Sequence, residues 1–553
     1  MSTPIHYCFT PSWRCLPYRD ATVWARGTVA TQLHADNGAP VPPLADLIAT
    51  VRDDGGAVVV EYGSNTPAGY PRNEVVIIQD LIRSCPVLFS RQKDICIGDD
   101  LSAWQHPLRR DHVSEREFMA MGFVPGACTL YDDVYQTLQG TTTHIALSPS
   151  PAPATSEDGC PGVVELPTSV TIDDWGRLEY SSDRIDDPRE YQELFDAAYS
   201  ASLERSLEQA GSHRVVVPLS GGLDSRLLIS SLYRLGVEPV TFTYGTPGSR
   251  EAVISRQIAE AAGFDWHMVP YPRHQVQARF HEPDRADFLT YCHAGVSLPH
   301  IQDWFALEHL LAEEIIRPGD VLFPGHTWVG NMHNPEVLDS SGPISTGAVA
   351  RAIAHHHYCL QGKADRPESN PRYLAHMRSF LSPCDGSARM AQSAIEAYNV
   401  RERQAKYINN SVRVYEFYGL GWQMPMLSER VFTAVQQAGP RCSLTRQWYA
   451  DYIAERLQRD MGSRADNIPL YQGIVMSEGQ RSRVKQILEA THLLPVAERA
   501  YTVRANLTDS TGLDAFITDR SRAHAAWNLS RGQAMMGLWA RAFIQGRWSR
   551  AQR

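Results

Sequence analysis

Arg214-Val215-Val216-Val217-Pro218-Leu219-Ser220-Gly221-Gly222-Leu223-Asp224-Ser225-Arg226-Leu227-Leu228-Ile229 decides how this chain is read. Val215 to Leu219 is a short apolar run rich in β-branched residues and predicts a buried strand. From Leu227 onward, Leu228, Ile229, Leu232 and Leu235 recur at helical spacing. The turn between them, Ser220 to Ser225, is built from residue types suited to holding a phosphate chain. Glycines let the backbone approach an anion closely, successive N–H groups and the positive helix end face it, and serine hydroxyls add donors. Asp224 can hold the magnesium that accompanies phosphates. The plainer alternative is a strand-to-helix turn capped by Asp224 or Ser225. It does not account for five constrained positions falling together in this context.

The turn resembles the SGGxDS pyrophosphate loop of the N-type ATP pyrophosphatases and, within that group, the synthetase domain of asparagine synthetase. A Walker A loop, GxxxxGK followed by Ser or Thr, is absent.

Composition bounds the answer. A chain of 553 residues predicts more than one domain, and 43% hydrophobic residues suffice for well-buried cores. No run of eighteen apolar residues occurs, and Met1-Ser2-Thr3-Pro4-Ile5-His6-Tyr7 is not a basic region followed by an apolar one, so a soluble, cytoplasmic protein is expected, with no membrane partner. The ten cysteines form no CxxC pair, which suggests neither a zinc site nor a disulfide framework. The net charge of −10 is spread without a basic block, which argues against nucleic acid as a partner. Lysine is confined to Lys93, Lys363, Lys406 and Lys485, so chemistry that needs lysine has four candidates.

Before the decisive stretch, residues 1–150 alternate β-rich runs with turns: Ala21 to Leu33, Ala57 to Tyr62, Glu74 to Ile78, Val87 to Ser90 and Ile95 to Ile97. A helix is expected from Pro43 to Val51, where proline suits a first turn, and another from Glu115 to Met121. The following Gly122-Phe123-Val124-Pro125-Gly126 and Thr129-Leu130-Tyr131 resemble the rear of the glutaminase-like domain of asparagine synthetase relatives, with Gly140 as the later glycine. The Pro, Ser and Gly content of 147–164 predicts a linker or extended loop, and 151–188 is read as the connecting segment. Residues 189–553 then form the second domain, entered through an amphipathic helix from Arg189 to Gln209.

Beyond the turn, Val237 to Tyr244 reads as a strand, Glu251 to Ala262 as a helix and His267 to Val269 as a strand. This alternation implies an α/β fold with a doubly wound parallel sheet, whose ligands lie at the carboxyl ends of the strands. The resemblance implies an N-terminal glutaminase-like (Ntn-type) α+β sheet domain followed by an ATP pyrophosphatase domain with extra helices. It puts Thr243-Tyr244-Gly245 at the adenine pocket, although a plain strand end explains these residues equally well. Gly325-His326-Thr327-Trp328-Val329-Gly330-Asn331 stands where the family carries SGDGxDE or GHSGD, and supplies no carboxylate. The segment Arg401 to Leu427 resembles a later helical part of polysaccharide-associated relatives, with Gly421, Gln423 and Ser428 standing where Glu, Arg and Asp are expected. Lys363 to Met390 reads as an irregular polar insertion, and His355-His356-His357 as a solvated helix face rather than a metal site.

In that family ATP activates a carboxylate as an acyl-adenylate, and an amine then displaces AMP to form an amide. Carried over residue by residue, Ser220, Gly221, Gly222, Leu223 and Ser225 cradle pyrophosphate, Asp224 holds Mg2+, and Gly325 meets the nucleotide. Lys406 faces phosphate or the adenylate, or else is a solvated helix charge. His326 sits near the reacting carboxylate or is a plain turn residue, and Arg226 adds a cation or, more simply, caps the surface. Glutamine-hydrolysing members expose cysteine as residue 2. This chain has Ser2. The implied activity is therefore an AMP-forming amide ligase acting on a small carboxylate without its own glutaminase. Its nitrogen comes from ammonia, an amine, or a separate glutamine amidotransferase. An intramolecular cyclase of the β-lactam synthetase or lasso-peptide type, and a non-catalytic nucleotide-binding pseudo-synthetase, stay open.

Overall fold

The computed structural model of the chain describes residues 4–34, 38–63, 66, 69–91, 94–104, 107–147, 169–330, 334, 338, 342–362, 367–469, 500, 503–508, 516 and 522–546. Its first ten strands are β1 (Ile5–Cys8), β2 (Arg14–Pro17), β3 (Ala21–Arg26), β4 (Ala57–Tyr62), β5 (Glu74–Gln79), β6 (Leu88–Arg91), β7 (Ile95–Gly98), β8 (Val134–Gln136), β9 (Thr141–Ala146) and β10 (Val170–Asp174). They form a four-stranded sheet, β1-β7-β6-β8, and a six-stranded sheet, β10-β9-β5-β4-β3-β2. Alternate side chains of a strand face opposite ways, so Val59 and Ile77 of one sheet meet Phe89 and Ile97 of the other in a shared core. The other face of the larger sheet is covered by the helix Leu44–Asp54 through Leu47 and Val51.

Two expectations change here. The run Ala21 to Leu33 is not one strand: β3 ends at Arg26, and a short helix, Val29–Gln32, follows. Gly27 takes φ +87° where its backbone abuts Gly56, and a Cβ there would lie 2.7 Å from the Gly56 Cα, so the turn requires glycine. The segment 151–188 is not purely connecting either, because β10 pairs antiparallel with β9 and completes the six-stranded sheet. The Pro- and Ser-rich core of the expected linker, 148–168, lies outside the described residues.

The second half carries β11 (Val215–Pro218), β12 (Val240–Gly245), β13 (Trp266–Pro270), β14 (Val321–Leu322) and β15 (Gly421–Trp422). All pair in parallel, in the order β13-β12-β11-β14-β15. Val216, Val217, Leu227, Leu228 and Ile229 are fully buried, as a continuous apolar strand followed by a helical stripe requires. The leading helix Pro188–Ala210 starts on Asp187, whose carboxylate accepts from the N–H groups of Arg189 and Glu190. Among the described residues no helix is long and apolar enough to cross a membrane.

The expected irregular insertion is largely helical. Pro371–Leu381 buries Tyr373, Met377 and Phe380, and Ala388–Tyr398 follows it; residues 363–366 lie outside the described set. Of the three consecutive histidines, His355 and His356 are exposed while His357 is buried against Tyr398. No cluster of three His, Cys, Asp or Glu side chains fit for a metal occurs among the described residues.

The halves join through buried charge. Arg26 is 5% exposed and pairs with Asp99 at 2.5 Å and with Glu416 of the second half at 2.8 Å. Arg401 makes a forked pair with Asp174 at 2.6 Å from each nitrogen.

Candidate active site

The turn Ser220–Ser225 lies between the end of β11 and the helix Leu223–Arg234. Gly222 occupies the cap position, and no side chain caps that helix, so its first N–H groups are left for another partner. The two serines differ in role. Ser225 is buried and donates to the Ser220 carbonyl at 2.6 Å, which holds the turn closed. Ser220 Oγ accepts from the Gly222 N–H at 3.2 Å and lines a cavity of about 340 Å3. Gly325, beyond β14, packs directly on the turn: a Cβ there would stand 3.3 Å from the Asp224 Cβ and 3.5 Å from the Ser225 nitrogen.

Asp224, partly exposed, accepts through Oδ1 from Tyr449 Oη at 2.9 Å and from Arg446 at 3.1 Å. Burial raises its carboxyl above the usual range, opposed by the Arg446 guanidinium and the Tyr449 hydroxyl. The Tyr449 and Arg446 bonds both fall on Oδ1, and a carboxylate is the hard oxygen ligand that suits a magnesium completing its shell with phosphate oxygens and water.

Residues 198–315, which include this turn, match the family model for asparagine synthase. The likeness to that family is confined to this stretch of the chain. That family consists of ATP-dependent C–N ligases that form amides and use ATP as a substrate. A comparison with curated proteins finds no match. The match ends before Gly325 and before every residue of the later helices, so the far side of the cavity lies outside it.

The second half of the chain brings most of the expected residues to one place. Ser220 and Thr243 line the cavity together, and Leu223 lies buried behind the turn. The Thr243 hydroxyl is used inside the sheet: it donates to the Leu219 carbonyl at 2.7 Å and accepts from Trp266 Nε1 at 3.0 Å. Gly221 fits against Ile254, whose Cγ2 would be 3.0 Å from a Cβ. Gly245, with φ +121°, ends β12 and accepts from the Tyr271 N–H at 2.8 Å. Arg226 corrects the surface expectation. It is 2% exposed and clasps the loop by donating to the Gly221 carbonyl at 3.2 Å.

Lys406 also corrects an expectation. It belongs to a π-helical segment, Asn399–Ile408, and has no exposure. Its Nζ donates to Glu402 at 2.6 Å and to the carbonyls of Gly126 and Val124 at 2.7 and 3.2 Å. The ammonium therefore ties the Gly122–Gly126 segment to the second half rather than facing phosphate. Burial lowers its pKa to about 8 against the pull of Glu402. Lys93, Lys363 and Lys485 lie outside the described residues, as do Ser2 and Asn331.

Asp303 and His300 went unnoticed in the sequence, and His326 joins them in the cavity. Asp303 accepts from Tyr415 Oη at 2.9 Å and is held by Tyr244 as well, while burial raises its pKa. His326 lies 3.2 Å from Ser411 Oγ, and burial lowers its pKa to about 4. His300 is held down to about 3, chiefly by burial and then by His326. Spacing alone does not reveal such pairings, since Asp303 and Tyr415 are far apart along the chain.

Buried uncharged imidazoles make stability depend on acid. His293, His300 and His357 are each lowered to about 3 and His326 to about 4, from 6.5. Between those values and 6.5 the unfolded chain binds more protons than the folded one. Stability is thus fully present above pH 6.5 and is lost as pH falls through the folded values. Neither ring nitrogen of His357 has a hydrogen-bond partner among the described residues. His357→Phe is expected to flatten the acid limb by about 1.4 kcal/mol per pH unit, the weight of one proton. Urea unfolding between pH 4 and 6.5 measures it, and an unchanged slope contradicts it.

Proposed function

We propose that this protein is an ATP-dependent, AMP-forming amide ligase that adenylates a small carboxylate and transfers nitrogen to it without a glutaminase of its own. The observation that carries the reading is the uncapped helix start at Gly222, set beside a cavity and next to the Asp224 carboxylate. In the first step a carboxylate oxygen attacks the α-phosphorus of ATP, the bond to the bridging oxygen breaks, and pyrophosphate leaves with the electron pair. Charge grows on the departing group, so donors already in place stabilise it without reorganising. The Leu223 N–H at the uncapped helix start supplies such a donor, and Arg446 adds a fixed cation beside Asp224. The Asp224 carboxylate would hold magnesium, which when bound neutralises phosphate charge. In the second step an amine, ammonia or a nitrogen on the substrate itself displaces AMP.

Ser2, where a glutamine-hydrolysing member has cysteine, supports nitrogen delivery from ammonia, an amine or a separate amidotransferase. One other reading has an observation behind it. Gly325 to Gly330 carries no carboxylate, which favours a protein that binds nucleotide without catalysis. Carboxylate-dependent exchange of labelled pyrophosphate into ATP, screened over candidate acids, separates the two. Exchange with at least one acid is expected. ATP binding with no exchange for any acid supports the non-catalytic reading and removes the ligase.

A further inference from the structure

We propose that His300 and His326 form the subsite for the nitrogen nucleophile, which they receive as an amine bearing N–H donors. The inference rests on the ligase reading and assigns a wall of the same cavity. Both rings line that cavity together with Ser220, and His300 Nε2 and His326 Nδ1 are buried without a hydrogen-bond partner among the described residues. The remaining nitrogen of His300 is engaged with the Tyr407 backbone in a contact that favours its proton, which leaves Nε2 as an acceptor. Gln302 Oε1 is another buried, unpartnered acceptor on the same wall, and the Asp303 carboxylate adjoins it. Both imidazoles are uncharged near neutrality, because burial holds their pKa values at about 3 and about 4.

Unpaired acceptors at His300 Nε2 and Gln302 Oε1 are costly until donors arrive, and an amine supplies them. The His326 tautomer sets whether its Nδ1 accepts from the amine or donates to it. Thr243 and Tyr244, expected at the adenine, line the same cavity, and the nucleophile is placed at its His326 end. His326 follows Gly325, which packs on Asp224 and Ser225, so the imidazole adjoins the turn proposed to take pyrophosphate. The adenylated carbonyl is joined through oxygen to the α-phosphorus and must lie near that turn, within reach of a nitrogen held by this wall. There the nitrogen lone pair attacks the carbonyl carbon. A C–N bond forms, the C–O bond to phosphate breaks, and AMP leaves with the electron pair. The proton lost by nitrogen passes through the acceptor it is bonded to and on to water.

Hydroxylamine is the probe, with the carboxylate that supports exchange, and hydroxamate the product. For His300→Phe, pyrophosphate exchange and the KM for ATP are expected to stay within about twofold of native, while hydroxamate formation at limiting hydroxylamine falls about tenfold through a raised KM. His300→Gln, whose Oε1 replaces the ring acceptor, is expected to restore most of that loss. Should His300→Phe fail to fold, Gln302→Met removes the second acceptor and carries the same expectation. An unchanged hydroxylamine KM overturns the proposal, and so does a raised KM for ATP, which would give the wall to adenine. Native protein without exchange for any acid removes the ligase reading and this subsite with it, whereas native exchange with an unaltered hydroxylamine response removes the subsite alone.

Discussion

Asp224→Ala is expected to lower pyrophosphate exchange about 10²–10³-fold, the range seen when one preorganised electrostatic partner of a transition state is removed. The side chain stands in the first turn of the helix Leu223–Arg234, partly exposed, with Oδ1 held by Tyr449 and Arg446. Its removal takes away the proposed magnesium ligand. It also frees Arg446 to move off the position that its pair with Asp224 sets. Asp224→Asn keeps the shape and loses the charge, and is expected to fall nearly as far. Tyr449→Phe removes one hydrogen bond and is expected to cost about 1 kcal/mol. Exchange rates over a magnesium titration, with urea unfolding as the control, measure all three. Native exchange in Asp224→Ala would remove this residue from the mechanism.

The second large effect is on stability. Lys406 and Glu402 are both without exposure and lie 2.6 Å apart, and Glu402 is held well below the usual carboxylate range by Lys406 and His376 despite its burial. Lys406→Met leaves that carboxylate with His376 and the Gly126 N–H, at 3.0 and 3.1 Å, as its remaining partners. A loss of about 3–5 kcal/mol is expected, since breaking a buried pair strands a charge. Replacing both, as Glu402→Leu with Lys406→Met, is expected to recover much of it. A lysine acting on phosphate gives the opposite pattern, with exchange lost while the urea midpoint holds. That outcome would return Lys406 to the catalytic group.

Both cases mark how far the sequence reached. The strand, turn and helix from Val215 to Arg234 were legible because each depends on near neighbours: β-branched residues in a row, glycines at a tight turn, leucines at helical spacing. The parallel sheet followed from strands alternating with helices. Misreadings arose where a distant segment overrides local character. Pro371–Leu381 looked irregular, yet Tyr373 and Phe380 find a core against Tyr398. Arg226 looked like surface until the loop folded over it.

The sequence by itself determined the glycine- and serine-rich turn, its place between strand and helix, the parallel order of elements around it, and the absence of acidic residues from Gly325 to Asn331. Only the tertiary structure decided that Lys406 is a buried tie to Val124 and Gly126, that Arg446 and Tyr449 complete Asp224, and that Asp303 meets Tyr415. The physical reason is range. Backbone preference and turn chemistry act over a few residues, whereas desolvation and charge pairing depend on which remote parts of the chain pack together.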